Sequence, residues 1–190
     1  MDGVMEQVAF TRMEDGSAED YAFLGGLWSE HRERHLVDNV LGMLAPLRGP
    51  KLGYQVDRYE HSLQTATRAL RDGAEEELVV AALLHDIGDS IAPDNHSQLA
   101  AAVLRPFVDD RTWWVVQHHG IFQGYYYWHH VGGDRDARER YRGHPHFEAC
   151  ALFCAKWDQT SFDPEYDTAP LATFEPMVRR LLAKPPEAFR

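Results

Sequence analysis

The sequence predicts an all-α fold, and three observations carry that prediction. Apolar residues recur at three- and four-residue spacing along most of the 190-residue chain. No alternating apolar/polar stretch is long enough for a strand. Gly, Pro and Asp-Gly punctuation cuts the chain into pieces of helical length.

Residues 17–47 read as helical. Ser17 can cap, Glu19 and Asp20 suit a helix N-terminus, and Leu24, Leu27 and Trp28 form an apolar stripe that Val37, Val40, Leu41 and Leu44 continue. Gly49, Pro50 and Gly53 make 48–58 a loop. The next helix, Tyr59 to Arg71, is closed by Asp72-Gly73. Glu75 to Asp86 is apolar on most sides, as a central buried helix would be. His96 to Phe107 follows Pro93-Asp94-Asn95, with Ala100, Val103 and Leu104 inward, and Asp109-Asp110 open a helix running through His119. The span 120–143, with Gly120, Gly124, Gly132, Gly133 and the run Tyr125-Tyr126-Tyr127-Trp128, reads as a long aromatic loop that walls a pocket or caps the core. Pro145 to Asp158 and Leu171 to Leu182 complete the helices. The expected organisation is an N-terminal helical extension, 1–50, packed on a domain spanning 51–190.

Composition narrows the function. A formal net charge of -11 argues against a nucleic-acid partner, which needs a basic surface. No apolar run approaches the roughly 20 residues of a membrane span, and the acidic N-terminus does not resemble a signal peptide. Cys150 and Cys154 fit small core residues of a cytoplasmic protein better than a disulfide framework. A small-molecule substrate is the expected partner, and oligomeric state is open.

Histidine and aspartate cluster at expected helix ends. His61 begins one helix, His85-Asp86 end another, His96 begins a third, His118-His119 lie late in a fourth and Asp158 ends a fifth. Helix ends can converge on one cavity. Imidazole and carboxylate ligands suit iron, manganese or zinc. Asp86 can offer one oxygen to each of two ions, the second shared with His96 and His119. Taken singly, His96 could be no more than part of a helix cap, and either His118 or His119 could be a packed core histidine. His129, His130, His144 and His146 read as loop or surface residues.

These residues carry a family resemblance. Glu60-His61-Ser62-Leu63-Gln64, Ala81 to Gly88 with its His85-Asp86 pair, Asn95-His96, Gln117-His118-His119 and Lys156-Trp157-Asp158 resemble the motifs of HD-domain metalloproteins, over about residues 54–182. The added His96 and His119 resemble the subset of mixed-valent di-iron oxygenases, of the phosphonate-cleaving and myo-inositol oxygenase types. The resemblance implies a helical bundle and two iron ions (Fe2+/Fe3+), with Mn2+, Zn2+ or another divalent metal as the alternative. His61, His85, Asp86 and Asp158 would hold the first ion, with Asp86 bridging. His96 and His119 would hold the second, with His118 as alternative or additional ligand. In such oxygenases the substrate chelates one iron, O2 binds the other, and a superoxo species abstracts hydrogen from a C–H bond.

Several positions depart from the phosphonate-cleaving pattern. Lys51-Leu52-Gly53-Tyr54 lacks the Glu that follows Tyr there. Asp89, Gln123 and Ala155 stand where that pattern has His, Lys and Arg. Loss of those cations removes charge-assisted bonds to a phosphonate dianion. The expectation is therefore an O2-dependent oxygenase acting on a small, polar, metal-chelating molecule. Asp86, Asp89 and His118 are the catalytic candidates, and Lys51, Tyr54, Gln117, Gln123 and Tyr125 the substrate-binding ones. The alternative is a metal-dependent phosphohydrolase, which the dispersal of Lys51, Arg58 and Arg68 disfavours.

Overall fold

The computed structural model describes residues 7–184. Among them there are helices and turns but no strand. The described residues form seven α-helices: α1 (Ala18–Gly42), α2 (Arg58–Arg71), α3 (Glu76–Leu84), α4 (His96–Leu104), α5 (Asp110–Tyr127), α6 (Phe147–Phe153) and α7 (Leu171–Leu182). The chain divides into two compact units, Met1–Asn39 and Val40–Arg190. No described helix is long and apolar enough to cross a membrane.

In the first unit, α1 begins where Ser17 and Asp20 cap reciprocally: the Asp20 amide donates to Ser17 Oγ at 3.2 Å and the Ser17 amide to Asp20 Oδ2 at 2.9 Å. Leu27 and Trp28 of the expected stripe are exposed.

The second unit is built around α3. Val79 to Leu84 are fully buried, and α2, α5 and α7 all pack against this helix. That surround explains why its sequence is apolar on every side rather than along one stripe. Local capping sets the starts of its neighbours. Asp57 accepts the Glu60 amide at 2.8 Å to begin α2, and Asp109 accepts that of Thr112 at 2.6 Å to begin α5. Gly73, in the left-handed region at φ 73°, ends α2. Cys150 and Cys154 are buried free thiols in the core.

The aromatic loop predicted for 120–143 is corrected in its first third. Helix α5 continues through Gly120 and Gly124 to Tyr127. These glycines serve close packing, not chain reversal. A Cβ at Gly124 would fall 2.4 Å from the Trp128 ring, which folds back over the helix in a 3-10 turn (Trp128–His130). The irregular part runs from there to the 3-10 turn Ala137–Tyr141.

A second local departure lies after α6, where Cys154–Asp158 forms a π-helical turn: the Gln159 amide reaches Cys154 O, five residues back, at 3.0 Å. Such turns insert an extra residue and often accompany functional sites. This one ends on Asp158.

Candidate metal centre and cavity

His61, His85, Asp86, His119 and Asp158 are all buried, and His96 is half-buried beside them. Each comes from a different place in the bundle. His61 is in the first turn of α2, and His85 caps the C-terminus of α3 with Asp86 just beyond. His96 opens α4, His119 lies midway along α5, and Asp158 ends the π turn.

Asp86 stands between two groups of imidazoles. Its Oδ2 lies 3.5 Å from Nε2 of both His61 and His85. Its Oδ1 lies 3.2 Å from His119 Nε2 and 3.5 Å from His96 Nε2. Asp158 Oδ1 is 3.3 Å from His61 Nε2. Three overlapping sets can each hold a cation: His61, His85, Asp86; His85, His119, Asp158; and Asp86, His96, His119. Ligands about 2.1 Å from a metal are separated by ~3.0–3.4 Å in octahedral or tetrahedral arrangements, which matches these spacings.

The imidazole tautomers strengthen the fit. Nδ1–H donates to a backbone carbonyl in all four: His61 to Ser161 O (2.9 Å), His85 to Ala82 O (2.8 Å), His96 to Pro93 O (2.9 Å) and His119 to Val116 O (2.8 Å). A carbonyl only accepts, so each Nδ1 carries the proton and each Nε2 turns a lone pair inward. His61 Nε2 and His85 Nε2 then face each other at 3.2 Å with no proton between them in the neutral forms. His119 Nε2 likewise faces a carboxylate oxygen. Lone pairs arranged this way call for a cation among them, and outer carbonyl partners of this kind are a regular feature of metal-ligating histidines. Asp158 Oδ2 is buried without a hydrogen-bond partner, a costly state that a cation relieves.

The charges of the cage residues depend on one another. Burial opposes ionisation of His61, but Asp158 and then Asp86 outweigh it and raise its pKa. Burial likewise opposes the His119 cation, and Asp86 more than compensates. His85 goes the other way: burial lowers it to about 4 despite the two aspartates. Burial works against the Asp86 and Asp158 carboxylates, yet the surrounding imidazoles hold both below the usual carboxylate range. His61 and His119 thus favour their cationic forms, and His85 its neutral one.

Beside the cage opens a cavity of about 560 Å³, lined by His61, Asp86, His96, His119 and Asp158 together with Tyr54, Arg58, Asp89, Gln123, Tyr126, Tyr127, Trp128 and Phe162. Of the sequence candidates, Tyr54, Asp89 and Gln123 lie here. Gln123 Nε2 donates to Asp158 Oδ1 at 3.0 Å. Tyr54 stacks on Phe162, and Phe162 on His61.

Four candidates are not brought to the cavity. Lys51 lies exposed on the preceding loop, outside the lining. Tyr125 lies beneath Arg138, 3.6 Å from its ring centroid, and its neighbour Tyr126 takes the cavity face. Gln117 and His118 precede His119 on α5 but are off the lining. His118 instead donates to Trp114 O at 2.9 Å and stacks on the Trp114 ring. Helical rotation of about 100° per residue separates it from His119, so one histidine of the pair faces the cage and the other an aromatic layer.

Of the dispersed cations Lys51, Arg58 and Arg68, Arg58 alone is brought to the cavity. It lies in the cavity wall, 3.0 Å through Nε from Asp89 Oδ2. Its position three residues before His61, on the same helical face, was the available signal. Phe162 and the Ser161 carbonyl were also missed. They reach the site because Gln64 ties the following loop to α2: its Nε2 donates to Asp163 O at 2.7 Å and its Oε1 accepts the Asp163 amide at 3.3 Å.

No curated protein matches the chain. The HD-domain family model matches residues 58–161, from the first turn of α2 to just past Asp158, and these bounds enclose all six cage residues. The match spans more than half of the sequence, and the chain belongs to the HD-domain family.

Proposed function

We propose that this protein is a dinuclear, O2-dependent oxygenase acting on a small polar molecule that chelates metal. The observation that carries the reading is the division of Asp86. One of its oxygens faces His61 and His85, and the other faces His96 and His119, the arrangement of a carboxylate bridging two ions. The all-imidazole and carboxylate donor set suits iron. Bound there, two irons would supply a site for substrate chelation and the redox capacity to use O2.

The chain's own residues have definable roles. His61, His85, Asp86 and Asp158 would hold the first ion, and His96 and His119 would complete the second. Gln123 orients Asp158 through its amide. Asp89 and Arg58 present a charged pair to the cavity. Tyr126, Tyr127 and Trp128 give the cavity wall aromatic residues.

The second reading is a metal-dependent phosphohydrolase, favoured by one observation: Arg58 gives the cavity a cation for a phosphoryl group. The two separate on metal content and oxygen use. The oxygenase reading expects close to two irons per chain, an electron-paramagnetic signal from a coupled Fe(II)/Fe(III) pair on partial reduction, and O2 consumption with substrate. A single manganese or zinc ion, with phosphate esters hydrolysed anaerobically, would overturn it in favour of hydrolysis.

A further inference from the structure

We propose that Arg58 is the specificity residue of the cavity and that it selects substrates carrying an acidic group, a carboxylate or a phosphoryl or phosphonyl oxyanion. The inference rests on the metal-enzyme reading above and adds the substrate's charge to it.

Four carboxylates line the cavity: Asp86, Asp89, Asp94 and Asp158. Arg58 is the one Lys or Arg among the described lining residues. Two of those carboxylates belong to the metal cage. Asp89 pairs with Arg58, its Oδ2 lying 3.0 Å from Nε. Among the described residues none accepts a hydrogen bond from Arg58 Nη1 or Nη2. The side chain lines the cavity and is 33% exposed, so its Nη groups, two parallel N–H donors, can meet a ligand there. That pair matches the two oxygens of a carboxylate or oxyanion in a bidentate bond.

The guanidinium is also held in place. The Tyr54 ring lies 4.9 Å from its carbon and the Phe162 ring 5.8 Å, and Asp89 fixes the Nε side. Loop residues Leu52 and Gly53, both in the left-handed region (φ 50° and 92°), turn the chain so that Tyr54 reaches this position. Burial works against the charge on Arg58, but Asp86, Asp89 and Asp158 more than offset it, so the cation is kept close to the cage. A substrate chelating metal at one end would meet this fork at the other.

The test is calorimetric titration of the metal-loaded protein with acetate, methylphosphonate and ethylene glycol, in wild type, Arg58→Gln and Arg58→Lys, with metal content measured for each. Arg58→Gln is expected to weaken at least one anion tenfold or more, with metal content and ethylene glycol binding unchanged, and Arg58→Lys to recover part of the loss. A larger loss for acetate would assign a carboxylic acid, and a larger loss for methylphosphonate a phosphorus acid. Equal anion affinity in wild type and Arg58→Gln, or no anion binding by wild type, would overturn the proposal. So would metal loss in both variants, which would leave Arg58 only the task of holding Asp89. The oxygenase reading fails separately, through absence of iron or of O2 use, and neither result alters the anion comparison.

Discussion

Gly88→Ala offers a sharp test of the second ion's dependence on His96. Gly88 is buried in the turn that follows His85-Asp86. A Cβ placed there would lie 2.8 Å from the His96 carbonyl oxygen, 2.9 Å from its Cα and 3.1 Å from Leu99 Cβ. Comfortable carbon contacts begin near 3.5 Å, so the start of α4 must retreat by roughly 0.6 Å. The opposing atoms are mainly backbone, which cannot rotate away. Metal–ligand distances tolerate only about ±0.2 Å, so the retreat carries His96 out of range of an ion bridged by Asp86. Overpacking of this kind costs about 1–3 kcal/mol, and each kcal/mol lowers Tm by roughly 2–4 °C in a chain of this size. On the dinuclear reading the expected variant is folded, melts lower, and holds one metal where wild type would hold two, measured by elemental analysis with a thermal melt. Gly120→Ala is the control. Its Cβ would press on Ser97 Oγ at 2.8 Å, a hydroxyl free to turn, with the His96 ring at an ordinary 3.7 Å. Full retention of both metals in Gly88→Ala would refute the reasoning.

Other perturbations probe the rest of the site. Asp86→Ala removes the oxygens facing both imidazole groups and should abolish both metals, and retention of either in elemental analysis would count against a bridge. Gln123→Leu deletes the amide that orients Asp158 and should weaken metal binding about 10–100-fold, read by competition with a chelator. Leu83→Ala opens a fully buried site in α3 and should cost about 2–5 kcal/mol in denaturant unfolding without changing metal stoichiometry. The metal-induced rise in Tm should grow between pH 6 and pH 8. His61 and His119 have raised pKa values in the metal-free fold, so their protons stabilise that fold below the unfolded value of ~6.5, and this support is lost as pH rises through the folded values. Protons also compete with metal for the same Nε2 atoms, so competition fades over the same range. A rise that shrinks with pH would contradict this assignment.

The parts of the molecule legible in sequence are those where one physical requirement dominates. Helix α3 is apolar on all sides because it is surrounded, and that shows in Val79 to Leu84 without any structure. Asp109 announces a helix start because a short carboxylate is the best partner for an orphan amide, whereas Asp57, which caps α2 in the same way, was read as loop. Gly120 and Gly124 misled because a glycine's meaning depends on what approaches it. In isolation they read as breakers, whereas here they make room for Ser97 and Trp128. The choice between His118 and His119 was similarly hidden, since adjacent residues on a helix differ only in direction. Arg58 was visible but its role was not, because the value of a cation depends on which of its donors the fold leaves open.

The same logic explains why the His-Asp pair lies where a helix ends. The last carbonyls of a helix lack intrahelical partners, and the Ala82 carbonyl is among those at the end of α3. His85, at the C-cap, donates Nδ1–H to it, so a backbone need fixes the tautomer that turns Nε2 toward the cage. Chain reversal then places Asp86 where one oxygen faces the α2 and α3 imidazoles and the other those of α4 and α5. His96 repeats the device, donating to Pro93 O three residues back, and His119 does so within α5. His118 uses the same kind of bond yet points into an aromatic layer, so a carbonyl-locked imidazole is not sufficient to make a ligand. What marks the cage is the convergence of four such imidazoles on two carboxylates, one of them with a buried, unpaired oxygen. Backbone geometry sets the ligands, while the side chains around the cavity, Arg58 foremost, are left to set what binds beside them.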